Sequence, residues 1–443
     1  MKIKILLLIV VSCMWRNTNA QNNKVWTLKE CVNYALENNI SIKQSELDKN
    51  IATQDVVAAK WNFSPNINAS ASQNYNFGSS IDISGGRSSA NYRSNNFGIN
   101  SSVTLFNGFA NIHTLKQAEI GAQAQDAALA KMKNDISLNV VNAYLQILFA
   151  KEQLKVAQSQ LEISEGEVNR ITELVNAGVI PEGNLLNIKA TQATDNQSLI
   201  EAKNSFSMAS LQLAQLLQLK EMDITVEEIS VDATNQSILS NDVKEIYTKA
   251  NESFPEIQLA ELNIKSAEES IKIAKANYYP SLTLSYGFNT IYQHRQGYPD
   301  FVSFNNQLND NLGHSVVFSL NIPIFNRYQF RTNINKAKIN QEKIQYNLES
   351  ERLRLRETIQ TAYTDALSSS KSYDAAIISV EALDKSFNYD LVKFQEGAIN
   401  SFEFNQTKNN LLSAQSQLIR AKYDFVFKLK VLEFYFGQPI FSN

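Results

Sequence analysis

AKWNFSPNINASASQNYNF, residues 59–77, has a counterpart later in the same chain: AKANYYPSLTLSYGF, residues 274–288, lies 215 positions on. After Pro65, the apolar Ile67, Ala69, Ala71, Tyr75 and Phe77 alternate with Asn66, Asn68, Ser70, Ser72, Asn74 and Asn76. After Pro280, Leu282, Leu284, Tyr286, Phe288 and Tyr292 alternate with Ser281, Thr283, Ser285, Gly287 and Asn289. A period of two predicts strands with one apolar and one polar face. Outward from these runs the register persists. Ala35, Glu46 and Leu47 fall on Ala250, Glu261 and Leu262 at the same offset. From Phe106 the offset becomes 219: Phe106-Asn107 matches Phe325-Asn326, Ala143-Tyr144 matches Ala362-Tyr363, Gly178 matches Gly397, and Leu199-Ile200 matches Leu418-Ile419. The chain is internally duplicated, with the four-residue difference in one loop.

Each half holds a second strand, 96–106 and 315–322. Phe97, Ile99, Val103 and Leu105 line one face of the first, and Val316, Phe318, Leu320 and Ile322 one face of the second. None of the four segments contains Asp, Glu, Lys or Arg, in a chain that is 19% charged. Water-facing strands have no reason to avoid charge and often use Lys to protect an edge. A strand crossing lipid needs ~9–11 residues, an apolar outer face and a wettable inner one. Phe63, Phe106, Tyr278, Tyr279 and Phe325 stand at the strand ends, where an aromatic girdle belongs. Four strands cannot close a barrel, and lipid tolerates no free sheet edge. Several copies must combine, giving eight strands from a dimer or twelve from a trimer.

Residues 107–177 and 326–396 separate each second strand from its next glycine, and as single helices they would reach about 105 Å. A 3/4 spacing runs through Val140, Ala143, Ile147, Ala150, Leu154, Ala157, Leu161, Ser164, Val168, Ile171 and Val175. The second copy repeats it with Asp390 as the only charged member. Such a seam specifies lengthwise, coiled-coil packing. Gly178 and Gly397 turn the chain into return helices at 184–218 and 403–435. The first repeat therefore spans 21–218, with a helix at 28–62 and a β-hairpin at 63–108. The second spans 243–436, with a helix at 243–277 and a hairpin at 278–325. An equatorial connector, 219–242, joins them, and 437–443 is a tail. The hydrophilic stretches 79–95 and 293–313 read as loops at the outer mouth.

Residues 1–20 carry Lys2 and Lys4, an apolar core from Ile5 to Val11, and a polar end at Thr18, Asn19 and Ala20, the pattern of a secretory signal. Cleavage before Cys13, with lipidation of that cysteine, is the second reading. Loss of residues 1–20 removes Lys2, Lys4 and Arg16 and no acid, leaving 38 basic and 44 acidic residues. That balance disfavours nucleic acid as a partner. Only 14 Gly and 7 Pro occur in 443 residues. This scarcity favours long helices, and the breakers gather at the hairpins and the helix turns. No phosphate loop, zinc spacing or nucleophile elbow is present, and His113, His294 and His314 are scattered, so neither an enzyme nor a bound cofactor is expected. The rival reading is a non-conducting coiled-coil structural protein of the envelope, which explains the heptads but not the uncharged strands.

The chain resembles the TolC family of outer-membrane efflux proteins over essentially its whole mature length. The resemblance rests on Trp26-Thr27-Leu28-Lys29-Glu30-Cys31, the Phe63-Ser64-Pro65 start of the hairpin, the Leu105-Phe106-Asn107-Gly108 exit, and the two glycine turns. It implies an α+β outer-membrane protein of a Gram-negative bacterium, passing substrates passively from a periplasmic adaptor and an inner-membrane pump of RND or ABC type. It further implies a homotrimer in which four transmembrane β-strands per chain form a 12-stranded β-barrel continuous with a 12-helix α-barrel. Gly178, Val179, Ile180, Gly397, Ala398 and Ile399 match the family positions that meet the adaptor. Glu403 matches the first acidic residue of the periplasmic aperture, whereas the second position is Gln406. The Tyr, Arg and Asp of the polar lock found in some members fall on Phe394, Ile399 and Asn184.

Overall fold

The computed structural model describes residues 24–81, 87–89, 91–220, 224–229, 236–295 and 302–437. The leader with Cys13, the ends of both hairpin loops, parts of the connector and nearly all of the tail lie outside the described residues. In chain order the elements are β1 (Val25–Trp26), α1 (Leu28–Asn38), α2 (Ile40–Trp61), β2 (Asn66–Asn76), β3 (Ser79–Ile81), β4 (Arg87–Ser89), β5 (Tyr92–Asn107), α3 (Ala110–Asn176) and α4 (Glu182–Leu217). There follow β6 (Thr225–Val226), a 3-10 turn (Gln236–Ser240), α5 (Val243–Ser253), α6 (Pro255–Ala276), β7 (Ser281–Arg295), α7 (Phe304–Asp310), β8 (Gly313–Asn321), α8 (Gln329–Gln395) and α9 (Ser401–Tyr435). Both ends of α1 and α2 recur in α5 and α6 at an offset of 215, and both ends of the 67-residue α3 recur in α8 at 219. No described helix is long and apolar enough to cross a membrane.

The helices expected at 28–62 and 243–277 are each broken once, at positions that are themselves related by 215. Asn39 is extended, with ψ 132°, because its side-chain oxygen accepts from Ser41 N and its amide donates to Leu216 O. Phe254 is extended, also with ψ 132°, because it precedes Pro255, which opens α6. The same kink is thus made by an amide in one half and by a proline in the other.

Two compact units form. One contains Gln44–Lys131 and Glu252–Arg354, the other the chain up to Lys43, Met132–Asn251 and everything from Leu355. The first unit holds an antiparallel four-stranded sheet in the order β2-β5-β7-β8, while β3 and β4 form a separate small pair. Pairing sorts the sheet into two faces. Ala69, Ile99, Phe288 and His314 form one cross-strand row, with Val103, Leu284 and Phe318 sharing that face. On the other face Asn68, Asn100, Gly287 and Ser315 form a row, and Ser70, Gly98, Asn289 and Gly313 the next. A bulge between Thr104 and Phe106 shifts the phase, so Leu105 has no cross-strand partner and Phe106 pairs with Leu282. Arg93, His294 and Arg295 are drawn into the ends of strands that run longer than the uncharged segments. Beyond the end of β8, the unforeseen helix α7 lies along β7: Asn311 donates to Ile291 O and Gln307 accepts from Gln293 N.

The duplication extends to backbone conformation. Gly108 and Phe109 are both left-handed, with φ 65° and 69°, and so are Arg327 and Tyr328, at 54° and 61°, 219 residues later. Only the first copy requires glycine, since a Cβ on Gly108 would lie 2.4 Å from Ala276 O.

In the second unit the seam of α3 is buried or half-buried at every position from Val140 to Val175, and the α8 seam likewise from Ile359 to Phe394. Tyr144, fully buried, donates to Trp26 O at 3.0 Å and Glu227 O at 2.7 Å, tying α3 to the parallel β1–β6 pair. Its duplicate Tyr363 donates to Leu239 O at 3.0 Å, in the connector. Beside Tyr144 lies the free thiol of Cys31, pushed up to about 12 by burial and by Glu30.

Candidate functional site: the paired helix turns and the polar sheet face

Both long helices end in the same motif. Gly178 N–H donates to Val175 O and Val179 N–H to Leu174 O, each at 2.9 Å. Gly397 N–H donates to Phe394 O at 3.1 Å and Ala398 N–H to Lys393 O at 2.8 Å. These are Schellman closures, with φ 72° at Gly178 and 74° at Gly397. Gly178, Val179, Gly397 and Ala398 are exposed, whereas Ile180 and Ile399 fold inward. Both isoleucines pack on an apolar cluster of Ile171, Ile188, Phe387, Phe394, Phe404 and Leu411.

Within that cluster Phe394 stacks on Phe404, with centroids 4.5 Å apart, and Arg170 lies over its ring at 4.6 Å. The structure therefore separates the five aperture candidates. Phe394 is interior to the chain, Ile399 covers it, Asn184 is half-buried in the first turn of α4, and only Glu403 and Gln406 are exposed. Asn400 caps α9 by accepting from Glu403 N at 3.0 Å, and this holds the Glu403 carboxylate in the first helical turn, where the helix dipole favours an anion. On α8, one turn before Phe394, Asp390 bonds Lys393 at 2.9 Å and accepts from Thr407 at 2.8 Å, and these contacts hold its carboxyl below its ordinary range.

One ion pair in the same unit joins residues that no sequence motif links. Lys408 Nζ lies 2.9 Å from Asp195 Oδ2, with the two side chains 2% and 8% exposed. The signal was present: Lys408 interrupts the buried Phe404, Leu411, Ala414 stripe, and Asp195 the Ile188, Leu199 stripe. In the other unit a second buried carboxylate, Glu269, bonds His113 at 2.7 Å and Lys272 at 2.6 Å. Burial raises its pKa, but these bonds outweigh burial and leave it lowered. Among the described residues no group of three or more His, Cys, Asp or Glu could hold a metal ion.

The polar sheet face is built mainly of Asn, Ser, Thr and Gly, with Val317 and Ile291 among them and Tyr92, Gln293 and Arg295 toward the end of β7. Asn66 accepts from both N and Oγ of Ser102 at 2.9 Å, and Asn95 donates to Gln73 at 3.1 Å across the opposite face. The wall can hydrogen-bond a polar solute, and its rows from Asn66 to Ser72 carry no charged residue.

The family model for outer membrane efflux proteins matches residues 31–218 and 246–438, one match per repeat. Outer membrane protein TolC of Escherichia coli is 21% identical over 402 residues, covering 88% of this chain and 77% of its own. The cobalt-zinc-cadmium resistance protein CzcC of Cupriavidus metallidurans is 21% identical, covering 70% and 68%. Among solved structures, the Campylobacter jejuni CmeC outer membrane channel superposes with a TM-score of 0.77 at 17% identity, over 93% of this chain and 85% of that one.

Proposed function

Because this chain belongs to the outer membrane efflux protein family, we propose that it is an outer-membrane exit duct, conducting substrates passively from a periplasmic adaptor and inner-membrane pump to the exterior. One observation carries the reading: a four-stranded sheet with an apolar face, an amide-and-hydroxyl face, and edges at β2 and β8 that a spanning sheet cannot leave open. Ile67, Val316, Phe318 and Leu320 are between 61% and 73% exposed on those edge strands, which is costly in water and appropriate in lipid.

Three copies contributing four strands each would close a twelve-stranded barrel, with the polar rows facing the lumen. Two further stripes support self-association. Leu47 and Ile51 of α2, and Ile339, Tyr346 and Leu353 of α8 at intervals of seven, are exposed and want an apolar partner. The two repeats, 21–218 and 243–436 about the 219–242 connector, would each supply one hairpin of strands and one of helices to this assembly. The glycine turns would dock the adaptor, and Glu403 with Gln406 would face the aperture. A non-conducting scaffold has no need of the uncharged sheet.

Planar-bilayer recording tests the proposal. The detergent-purified oligomer is expected to insert and give discrete conductance steps. A water-soluble oligomer that never conducts would refute the duct. For the docking surface, Val179→Asp combined with Ala398→Asp is expected to abolish co-purification with the adaptor while leaving the oligomer intact; retained co-purification would move docking elsewhere.

A further inference from the structure

The strands β2, β5, β7 and β8 carry no Asp or Glu, and their only Arg or Lys residues, Arg93 and Arg295, stand with His294 at the end of the sheet nearest the hairpin loops. Register divides these three between the faces. Arg295 pairs with Tyr92 on the polar face, whereas Tyr75, Arg93 and His294 form one row on the apolar face. Next on that face come Gln73, Asn95 and Tyr292, then Ala71, Phe97 and Thr290, and from there apolar residues dominate as far as Leu282. At a strand tilt of ~40° the stretch from Thr290 to Leu282 rises about 21 Å, close to the ~25 Å apolar band of a membrane barrel. Arg93 and His294 therefore stand just beyond the hydrocarbon on the lipid side, at the depth of lipid headgroups.

The packing around Arg93 is a second observation. Its guanidinium carbon lies 5.7 Å from the ring centroid of the buried Tyr292, and its Nε is buried with no hydrogen-bond partner among the described residues. An aromatic support holds a guanidinium flat, and its planar donor fork matches phosphate oxygens. Exposed apolar groups flank the row on both sides. On the β2 side Tyr75 and Phe77, both exposed, stack with centroids 6.5 Å apart. On the β7 side Phe304 of α7, also exposed, packs on Tyr292 at 4.8 Å, and Thr290 holds α7 against this same face by donating to Leu308 O. A cation set between apolar surfaces suits an amphiphile with an anionic head, whereas a free anion has no use for the flanks.

We propose that Arg93 and His294 bind the phosphate of an outer-leaflet lipid, with Tyr75, Phe77 and Phe304 against its acyl chains. The proposal rests on the exit-duct reading, which sets this face against the membrane. Arg93 supplies charge-assisted donors to the phosphate oxygens, and His294 donates from a ring N–H. Native mass spectrometry of the full-length, detergent-purified oligomer tests it, by titration with monophosphoryl lipid A and with the same lipid stripped of its phosphate. Planar-bilayer conductance is recorded in parallel. The unmodified chain is expected to bind the phosphorylated lipid about tenfold more tightly or better, the worth of one charge-assisted hydrogen bond. Arg93→Gln with His294→Gln is expected to remove that preference, and Arg295→Gln, on the polar face, to keep it. If the double variant does not assemble, the preference of the unmodified chain decides alone. Equal loss of preference in Arg295→Gln, or equally tight binding of inorganic phosphate without lipid, would overturn the site. Equal affinity of a conducting oligomer for the two lipids would remove the site and leave the duct. An oligomer that prefers the phosphorylated lipid through Arg93 but never conducts would keep the site and remove the duct.

Discussion

Two residues show how differently one backbone requirement can be met. Gly108 is left-handed and also pressed against Ala276 O, so Gly108→Ala is expected to cost at least ~2 kcal/mol through strain and backbone clash together. Gly397 is left-handed with nothing within 4 Å, and Gly397→Ala is expected to cost only ~1 kcal/mol. Thermal melting of the two variants checks the order. Glu269 gives a pH prediction. Its pKa in the folded chain is lowered below the ordinary 4.5, so its contribution is complete above that value and is lost as the pH falls through the lowered one. Acid unfolding should therefore be less steep in Glu269→Gln than in the unmodified chain, and identical acid profiles would assign the carboxylate no such role.

At the scale of elements, adjacent residues of one strand separate the two faces of the sheet. Phe318 of β8 belongs to the apolar face and Ser319 to the polar one. Phe318→Arg is expected to destabilise the inserted protein by ~2–4 kcal/mol, whereas Ser319→Arg is expected to insert normally and shift conductance toward anions. Equal loss of insertion in both would contradict the face assignment. The strands themselves were legible because period-two alternation is local, and so were the helix seams and glycine turns. What sequence reading missed depended on distant partners. The Asn39 kink needs Leu216, the bulge that takes Leu105 out of the pairing needs β7, and α7 forms where β8 stops short of β7. Lys408 and Asp195 were overlooked because each breaks a stripe on its own helix, and only their meeting makes sense of both.

For the whole molecule, duplication supplied most of the plan, since offsets of 215 and 219 recur in helix ends, kinks, left-handed pairs and tyrosine anchors. The residues matched to the family's aperture do not follow the same plan. Phe394 and Ile399 sit in an apolar cluster because they lie on the inward side of the turn, which leaves Glu403 as the one charged residue among the five candidates, and it is exposed. Three such carboxylates would favour cations, and Glu403→Gln is expected to reduce the cation-to-anion permeability ratio in reversal-potential measurements; an unchanged ratio would remove Glu403 from the conduction path. The central claim is closure of the sheet by further copies of the same chain, and disulfide trapping tests it most directly. Cysteines placed in pairs along the β2 edge at Asn68, Ser70 or Ser72 and along the β8 edge at Ser315, Val317 or Ser319 should, at one register, give a covalent trimer and nothing larger. Exclusively monomeric product at every register, or a ladder running past three, would contradict it.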